Sequence, residues 1–503
     1  MTSTSTETLV SGDAQVEGLS KFASSLVLVG IFFAILMGAM DALVVATALP
    51  TIATDLNQVN GVTFVAGAYL ISSTISIPLF SRLSDISSRR NAFLVGLSVF
   101  IVGSALAGLS QNLTELIAFR AVQGFGGGGV FPVALAMVTV LFPPSTRSRV
   151  IGILSGASAL SIVVGPLVGS YIVSVASWRW VFYINLPFGV MAMAVILLAL
   201  KPLRPDARQR FDGIGAMLLS GWVGTLMVAL VEVADEGVAW SDPLVVSLLA
   251  VSAVLFTAFL WQELRITEPL IPLRLMANRT ITATSGIMFF TGIVFSALIT
   301  FLSVFVGIVL LHNGPNAAGD VRDMIYFMAI PMILGAAASG QILTKLPYRS
   351  VIAPGLAVSV VAGFFLTQLT PSTQLWVLAA GFLPVGGIAL PLIPLGLGLG
   401  MSLAGPTIAV QNDAPREVVG EALGLSKFMQ ALGGAMGISL LTTFQTARIQ
   451  SLTAGVTSPA AKASALVTTY NEVFLILALC VLVALGFALL FVGRVPRSPS
   501  ESS

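Results

Sequence analysis

The feature that most constrains this chain is a succession of apolar runs, each about 18 residues or longer, with short clusters of charge between them. A run of that length spans a hydrocarbon core as a helix. Hydrophobic residues make up 56% of the chain and charged residues 9%, whereas a soluble domain carries about 25% charged residues. So few charges cannot clothe a water-facing surface of this size. The chain is therefore read as a single all-α integral membrane domain.

Runs bounded by charge, proline or glycine fall near Leu26–Leu49, Val62–Phe80, Ala92–Leu109, Leu113–Leu141, Ile151–Val175 and Val181–Leu200. Past a basic loop come Ile214–Val233 and Leu244–Trp261. The remainder are Ile281–Leu311, Met324–Leu343, Val351–Leu369, Trp376–Val410, Val418–Phe444 and Val473–Val492, giving fourteen expected transmembrane helices. Pro384, Pro391 and Pro394 interrupt Trp376–Val410, which is compatible with either one helix or a helix plus a re-entrant piece. With both termini placed in the cytoplasm, 18 of the 24 Lys and Arg residues fall in cytoplasmic segments, four fall outside, and Arg120 and Lys427 lie within spans. That asymmetry is the positive-inside bias, and an odd span number would scramble it. The expected location is a cell (inner) membrane.

The loop Ser81–Arg90 has a faint counterpart at Gly340–Arg349, each after the second span of a six-span set. The chain accordingly divides into a disordered cytoplasmic tail 1–24, a six-helix bundle 25–200, an inserted two-helix linker 201–275, a pseudo-symmetric six-helix bundle 276–493 and a second tail 494–503. The first two dozen residues lack the pattern of a cleaved signal peptide, so the first span is expected to remain as an anchor. A net charge of +2, without a basic patch interleaved with aromatics, sets nucleic acid aside as a partner. One cysteine, Cys480, allows neither an intrachain disulfide nor a thiolate metal site. The glycine run 126–129 lacks the Lys-Ser/Thr of a phosphate loop, and the single histidine, His312, cannot complete a Ser-His-Asp set. No enzyme activity, metal or cofactor is expected.

Several stretches carry a family resemblance in the expected order. Ser81–Arg90 keeps Leu83, Asp85, Arg89 and Arg90 of a glycine-bounded loop signature but departs from it at Ser81, Ile86 and Ser88. Asp41–Pro50 lies in the first span, Arg120-Ala121-Val122-Gln123-Gly124 in the fourth, and Gly152, Ser161, Gly165, Pro166 and Gly169 in the fifth. Trp178–Pro187 follows. Together they resemble the major facilitator superfamily, specifically its fourteen-span drug:proton antiporter branch. The resemblance implies secondary export of hydrophobic or amphipathic small molecules by alternating access, powered by proton entry. It also implies that Asp85, Arg89 and Arg90 form a conformational latch and that Gly165, Pro166 and Gly169 belong to a gate helix. Lipid or glycolipid export is the alternative within transport; a non-transporting receptor or scaffold is the alternative of another class. The expected partners are protons, a small-molecule or lipid substrate and the bilayer, with the chain acting as a monomer.

The residues themselves bear on the mechanism. An ionised Arg120 inside an apolar helix costs about 2.5 kcal/mol or more unless it meets a partner or a cavity. It reads as a charge tuning a nearby carboxylate; the plainer alternative is a structural helix-to-helix donor. Asp41 has no basic residue close in sequence. It reads as a proton carrier, since removal from water penalises the charged form of a carboxylate; the alternative is an ionised acid paired with a distant arginine. Glu232 is a further proton-coupling candidate, although Asp235, Glu236 and Asp242 nearby suggest a solvated loop. Gln123, Lys427 and Gln430 join Asp41 as expected lining of the substrate cavity, with the alternative that Lys427 only snorkels to the inner surface. Gly165 and Gly169 permit close helix contact, as gate or as simple packing. Trp178 and Trp180 read as interfacial anchors.

Overall fold

In a bilayer every backbone N–H and C=O must be satisfied within the protein, so spanning segments form helices. A computed structural model describes residues 21–490, apart from short stretches of which 201–211, 307–316 and 370–376 are the longest. His312, the two tails 1–20 and 491–503 and the basic loop after Leu200 lie outside the described residues.

The helices in chain order are α1 (Lys21–Asp55), α2 (Phe64–Ile86), α3 (Arg89–Leu109), α4 (Leu113–Leu141), α5 (Pro144–Val175), α6 (Trp180–Tyr183) and α7 (Asn185–Ala199). Then follow α8 (Gly213–Asp235), α9 (Pro243–Arg265), α10 (Arg279–Val304), α11 (Ala317–Ile342) and α12 (Tyr348–Phe365). The last three are α13 (Ala389–Asp413), α14 (Val419–Thr453) and α15 (Pro459–Ala488). Helix α6 is a single turn of 4 residues leading into α7, so the two occupy one expected span. Helix α1 begins at Lys21, ahead of the expected start of the first bundle. Among the described residues, 11 helices are long and apolar enough to cross a membrane. Helix α14 falls short because Lys427, Gln430, Gln445 and Arg448 dilute its apolar character.

The start signals are local. Asn112 caps α4 by accepting from Glu115 N at 2.8 Å, and Glu115 Oε2 reaches back to Gln111 N at 2.8 Å. Asp242 caps α9 with Pro243 in the first turn, and Asn278 caps α10.

Trp376–Val410 holds a single candidate span, Ala389–Val410, and the described residues ahead of it are not helical. The strands β1 (Val377–Ala379) and β2 (Leu383–Gly386) pair antiparallel, and only from Ala389 does the chain become the helix α13. Pro384 falls on the strand, where it has no N–H to lend a helix.

Large apolar side chains such as Leu109, Leu198, Met217 and Val254 stand 55% or more exposed on the outer surface. They belong against lipid. The cores differ at the two ends of the bundle. At the end carrying Asp55, one continuous core joins Leu49, Leu116 and Phe182 to Phe301, Met324 and Phe474. At the end carrying Arg90, the core of Ile31, Phe93, Val133 and Ile196 is closed within α1–α5 and α7. The pair α8–α9 packs through Leu219 and Trp222 against α14, in a third cluster that also holds Ile71 of α2.

The glycine run in α4 sets how closely its neighbours approach. A methyl on Gly126 would lie 2.2 Å from Phe100 N and 2.5 Å from Gly96 O, both backbone atoms of α3. One on Gly124 would lie 2.2 Å from Tyr69 O of α2. Gly126→Val should therefore destabilise the protein by at least the roughly 1–3 kcal/mol of core overpacking, read as a lower melting temperature of purified protein. Gly486→Ala, with nothing within 4 Å of the added carbon, should leave it unchanged.

Candidate functional site

Arg120 and Gln123 stand three residues apart on one face of α4, the spacing that lets two helical side chains act together. That face meets α1 at Asp41. Arg120 Nη1 donates to Asp41 Oδ2 at 2.5 Å and to Gln123 Oε1 at 2.8 Å, while Arg120 Nε donates to the Val65 carbonyl of α2 at 3.2 Å. Asp41 Oδ1 accepts from Gln123 Nε2 at 2.8 Å and from Asn185 Nδ2 of α7 at 3.0 Å. Ser104 of α3 accepts from both amides, at 3.1 and 3.0 Å, and donates to the Phe182 carbonyl of α6 at 2.8 Å. The guanidinium carbon lies 4.3 Å from the Tyr69 ring centre and 5.7 Å from that of Phe182.

Arg120 is 0% exposed and Asp41 2% exposed. A buried pair of charges is tolerable only where the geometry is good and the remaining hydrogen-bonding positions are filled. Here both carboxylate oxygens and two of the guanidinium nitrogens are engaged. The arrangement is a carboxylate held by a cation that cannot easily leave.

Helix α5 presses on α1 beside this cluster. Methyls on Gly165 and Gly169 would lie 2.8 Å from Leu43 Cβ and 2.2 Å from Thr47 Oγ1, on either side of the turn following Asp41. The helix continues without a break through Pro166. A belt lies between the cluster and the bundle end. Trp178 Nε1 donates to Asp55 Oδ2 at 2.8 Å, Arg179 pairs with the same oxygen at 3.2 Å, and Arg179 Nη2 reaches the Ser110 carbonyl at 3.1 Å. Trp178 is buried under this belt, while Trp180 is 57% exposed.

The structure brings Asp41, Arg120 and Gln123 together and sets the other candidates elsewhere. Asp41 and Gln123 are turned into the network and do not open onto a cavity in this conformation. Lys427, exposed on α14, donates to Gln430 Oε1 at 3.1 Å. Glu232 lies in the last turns of α8, half-buried and outside the network. Arg90 Nη2 donates to the Leu197 carbonyl of α7 at 3.2 Å, and Arg89 is partly exposed. The side chain of Asp85 lies outside the described residues. Sequence reasoning did not single out Asn185, Ser104 or Tyr69. Asn185 alone left a signal, an amide within the apolar stretch Trp178–Pro187.

A many-helix apolar bundle with a sealed charge pair defines a multi-pass membrane protein. A model of the Major Facilitator Superfamily matches residues 31–438, and the chain belongs to that family of transporters, which are not enzymes. Multidrug resistance protein 3 of Bacillus subtilis is 31% identical over 425 residues, covering 84% of this chain and 80% of that protein. The tetracenomycin C resistance and export protein of Streptomyces glaucescens is 30% identical, covering 84% of this chain and 76% of that one. A bacterial homologue of the human lysosomal transporter Spinster, inward-facing and unoccupied, superposes with a TM-score of 0.61 at 15% identity over 95% of this chain and 100% of its own, a likeness of fold.

Removing one partner of the pair strands the other charge. Asp41→Ala should cost about 3–5 kcal/mol, whereas Asp41→Ala combined with Arg120→Leu should recover a substantial part of that loss. A double-mutant cycle on melting temperature measures the coupling.

Proposed function

We propose that the protein is a proton-coupled secondary exporter of hydrophobic or amphipathic small molecules, working by alternating access. The observation that carries this reading is the fully buried Asp41–Arg120 pair. Protonating Asp41 removes the charge that Arg120 answers, and a desolvated guanidinium without its carboxylate favours a rearranged packing. The two protonation states of one residue thereby bias two arrangements of the helices around it, which is what coupling requires. The names of the relatives, multidrug resistance and tetracenomycin C export, support efflux.

On this reading the chain crosses an inner membrane fourteen times with both termini in the cytoplasm. Residues 25–200 and 276–493 form two six-helix halves around the inserted pair 201–275, and the chain works as a monomer. The core shared between halves near Asp55 and divided near Arg90 is what an inward-open state has. Helix α5, sliding on α1 through Gly165, Pro166 and Gly169, acts as the gate; Asp85, Arg89 and Arg90 latch the inner ends in the opposite state. Lys427 and Gln430 give the substrate cavity its polarity from the second half, and Asp41 and Gln123 contribute when the network opens. Glu232, remote from the pair, serves coupling only through helix movement.

A second reading, lipid export, has one observation in its favour. An apolar groove of about 760 Å³ runs between α12 and α13 beside the hairpin, lined by residues such as Val361, Phe365, Leu390 and Pro394. Lipid extracts from a deletion strain separate it from drug export, since accumulation of one lipid class is expected only for a lipid carrier.

In everted vesicles, an imposed proton gradient should drive uptake of a lipophilic dye, and an equal sodium gradient should not. Asp41→Asn should abolish the gradient-driven component while keeping dye counterflow. Uptake driven by sodium, or proton coupling unchanged in Asp41→Asn, overturns the assignment.

A further inference from the structure

The inserted pair carries a second set of buried acids. Asp212 immediately precedes α8 and is 4% exposed; Glu263, in the last turn of α9, is 1% exposed. Asp212 Oδ1 caps α8, accepting from Gly215 N at 2.9 Å and from Gln262 Nε2 at 3.3 Å. Glu263 Oε2 accepts from Ile271 N at 3.0 Å and so ties down the segment that leads into α10. The other oxygen of each carboxyl, Asp212 Oδ2 and Glu263 Oε1, is buried without a hydrogen-bond partner. Both point into one space. A methyl on Gly215 would lie 2.2 Å from Asp212 Oδ2 and 3.2 Å from Glu263 Oε1, so the two oxygens are separated by no more than the sum of those distances.

Among the described residues the nearby cations do not reach these acids: Arg279, at the start of α10, is exposed, and others are engaged elsewhere. On α9, Arg265 stacks on Trp261 at 4.2 Å; on the 3-10 turn Leu273–Ala277, Arg274 donates to the Leu264 carbonyl at 2.7 Å. On α14, which packs against α8, Lys427 bonds to Gln430. Among the described residues neither acid forms an ion pair. Two ionised carboxylates cannot share so dry and narrow a space without strong repulsion, and two orphaned acceptors lack a donor. One proton supplies both needs.

We propose that Asp212 and Glu263 bind a single shared proton, forming an ionisable site at the base of the inserted pair that is separate from Asp41 and Arg120. The proton makes one carboxyl a donor to the other and holds the start of α8, the end of α9 and the Ile271 strap together. Its loss sets two like charges against each other and loosens the connection through which the inserted pair meets α10. The site needs no transport step, so it stands or falls independently of the coupling role of Asp41.

Infrared difference spectra of the purified full-length protein, taken as pH is raised, test this. A carboxylic-acid C=O band persisting at least one pH unit above the ordinary glutamate range of about 4.3 is expected in the wild type. It should vanish in Glu263→Gln and titrate at least one unit lower in Asp212→Asn. The wild-type melting temperature should fall as the proton is stripped, because the folded state then holds more protons than the unfolded chain. Glu263→Gln should lose that fall. A band and a melting profile indifferent to both substitutions, or stability restored at high pH by sodium but not by choline, overturns the proposal.

Discussion

Two opposite charges, Asp41 on α1 and Arg120 on α4, meet at 2.5 Å in a place that water does not reach. A single ion in such surroundings is ruinous, and even a pair is marginal unless its other bonding positions are met. The demand for partners therefore propagates outward. Gln123 and Asn185 must offer amides, Ser104 must bridge them, and Val65 must turn its carbonyl to the guanidinium. Helices α1, α2, α3, α4 and α7 are thereby fixed relative to one another by directional bonds, which apolar packing in a membrane cannot provide, since lipid is as apolar as the helices' own faces.

That cluster exists only because the backbones come close enough. The long arm of an arginine is forgiving, but the bonds to Ser104 and the Val65 carbonyl are not. Gly124, Gly126 and Gly128 let α4 lie against α2 and α3 with backbone in contact, and Gly165 with Gly169 does the same for α5 against α1. The glycines and the charges are thus one device. The small residues set the distance at which the polar ones can satisfy each other, and the same kind of contact seats α5 against the turns beside Asp41.

The helical bundle was legible because hydrocarbon thickness imposes a period that composition alone displays; the run Leu113–Leu141 coincides with α4 to the residue. The same rule explains what stayed open. Trp376–Val410 carries no charge, and apolarity does not distinguish a hairpin at Val377–Gly386 from the first turns of α13, so one helix and a helix with a further piece fitted equally. In the site, Arg120 and Asp41 stood out because charge in an apolar run is costly. Their pairing, 79 residues apart, is set by the packing of α1 on α4, which sequence spacing does not display. Ser104 and Tyr69 left no trace. A serine bonds its own helix at little cost and a tyrosine is at home in any apolar helix, so neither announces that it has partners elsewhere. Trp178 is buried, yet its indole N–H reaches the exposed carboxylate of Asp55 at the bundle end.

The buried charges also explain why the two ends of the protein differ in apolar character. Asp41 and Arg120 cancel each other, so α1 and α4 remain acceptable to an apolar core, and residues on either side of them join the cluster that reaches Phe301 and Met324. Helix α14 has no such internal cancellation at Lys427, whose partner Gln430 is neutral. Its ammonium can be kept only where open space lets water or a polar ligand group approach it. A neutralised charge is thus buried in the core and an uncompensated one is exposed. If a substrate brings an acceptor to Lys427 and a proton discharges Asp41, each changes the solvation demand of a different half. The two halves can then respond to different ligands while sharing one interface, the minimum a coupled exporter needs.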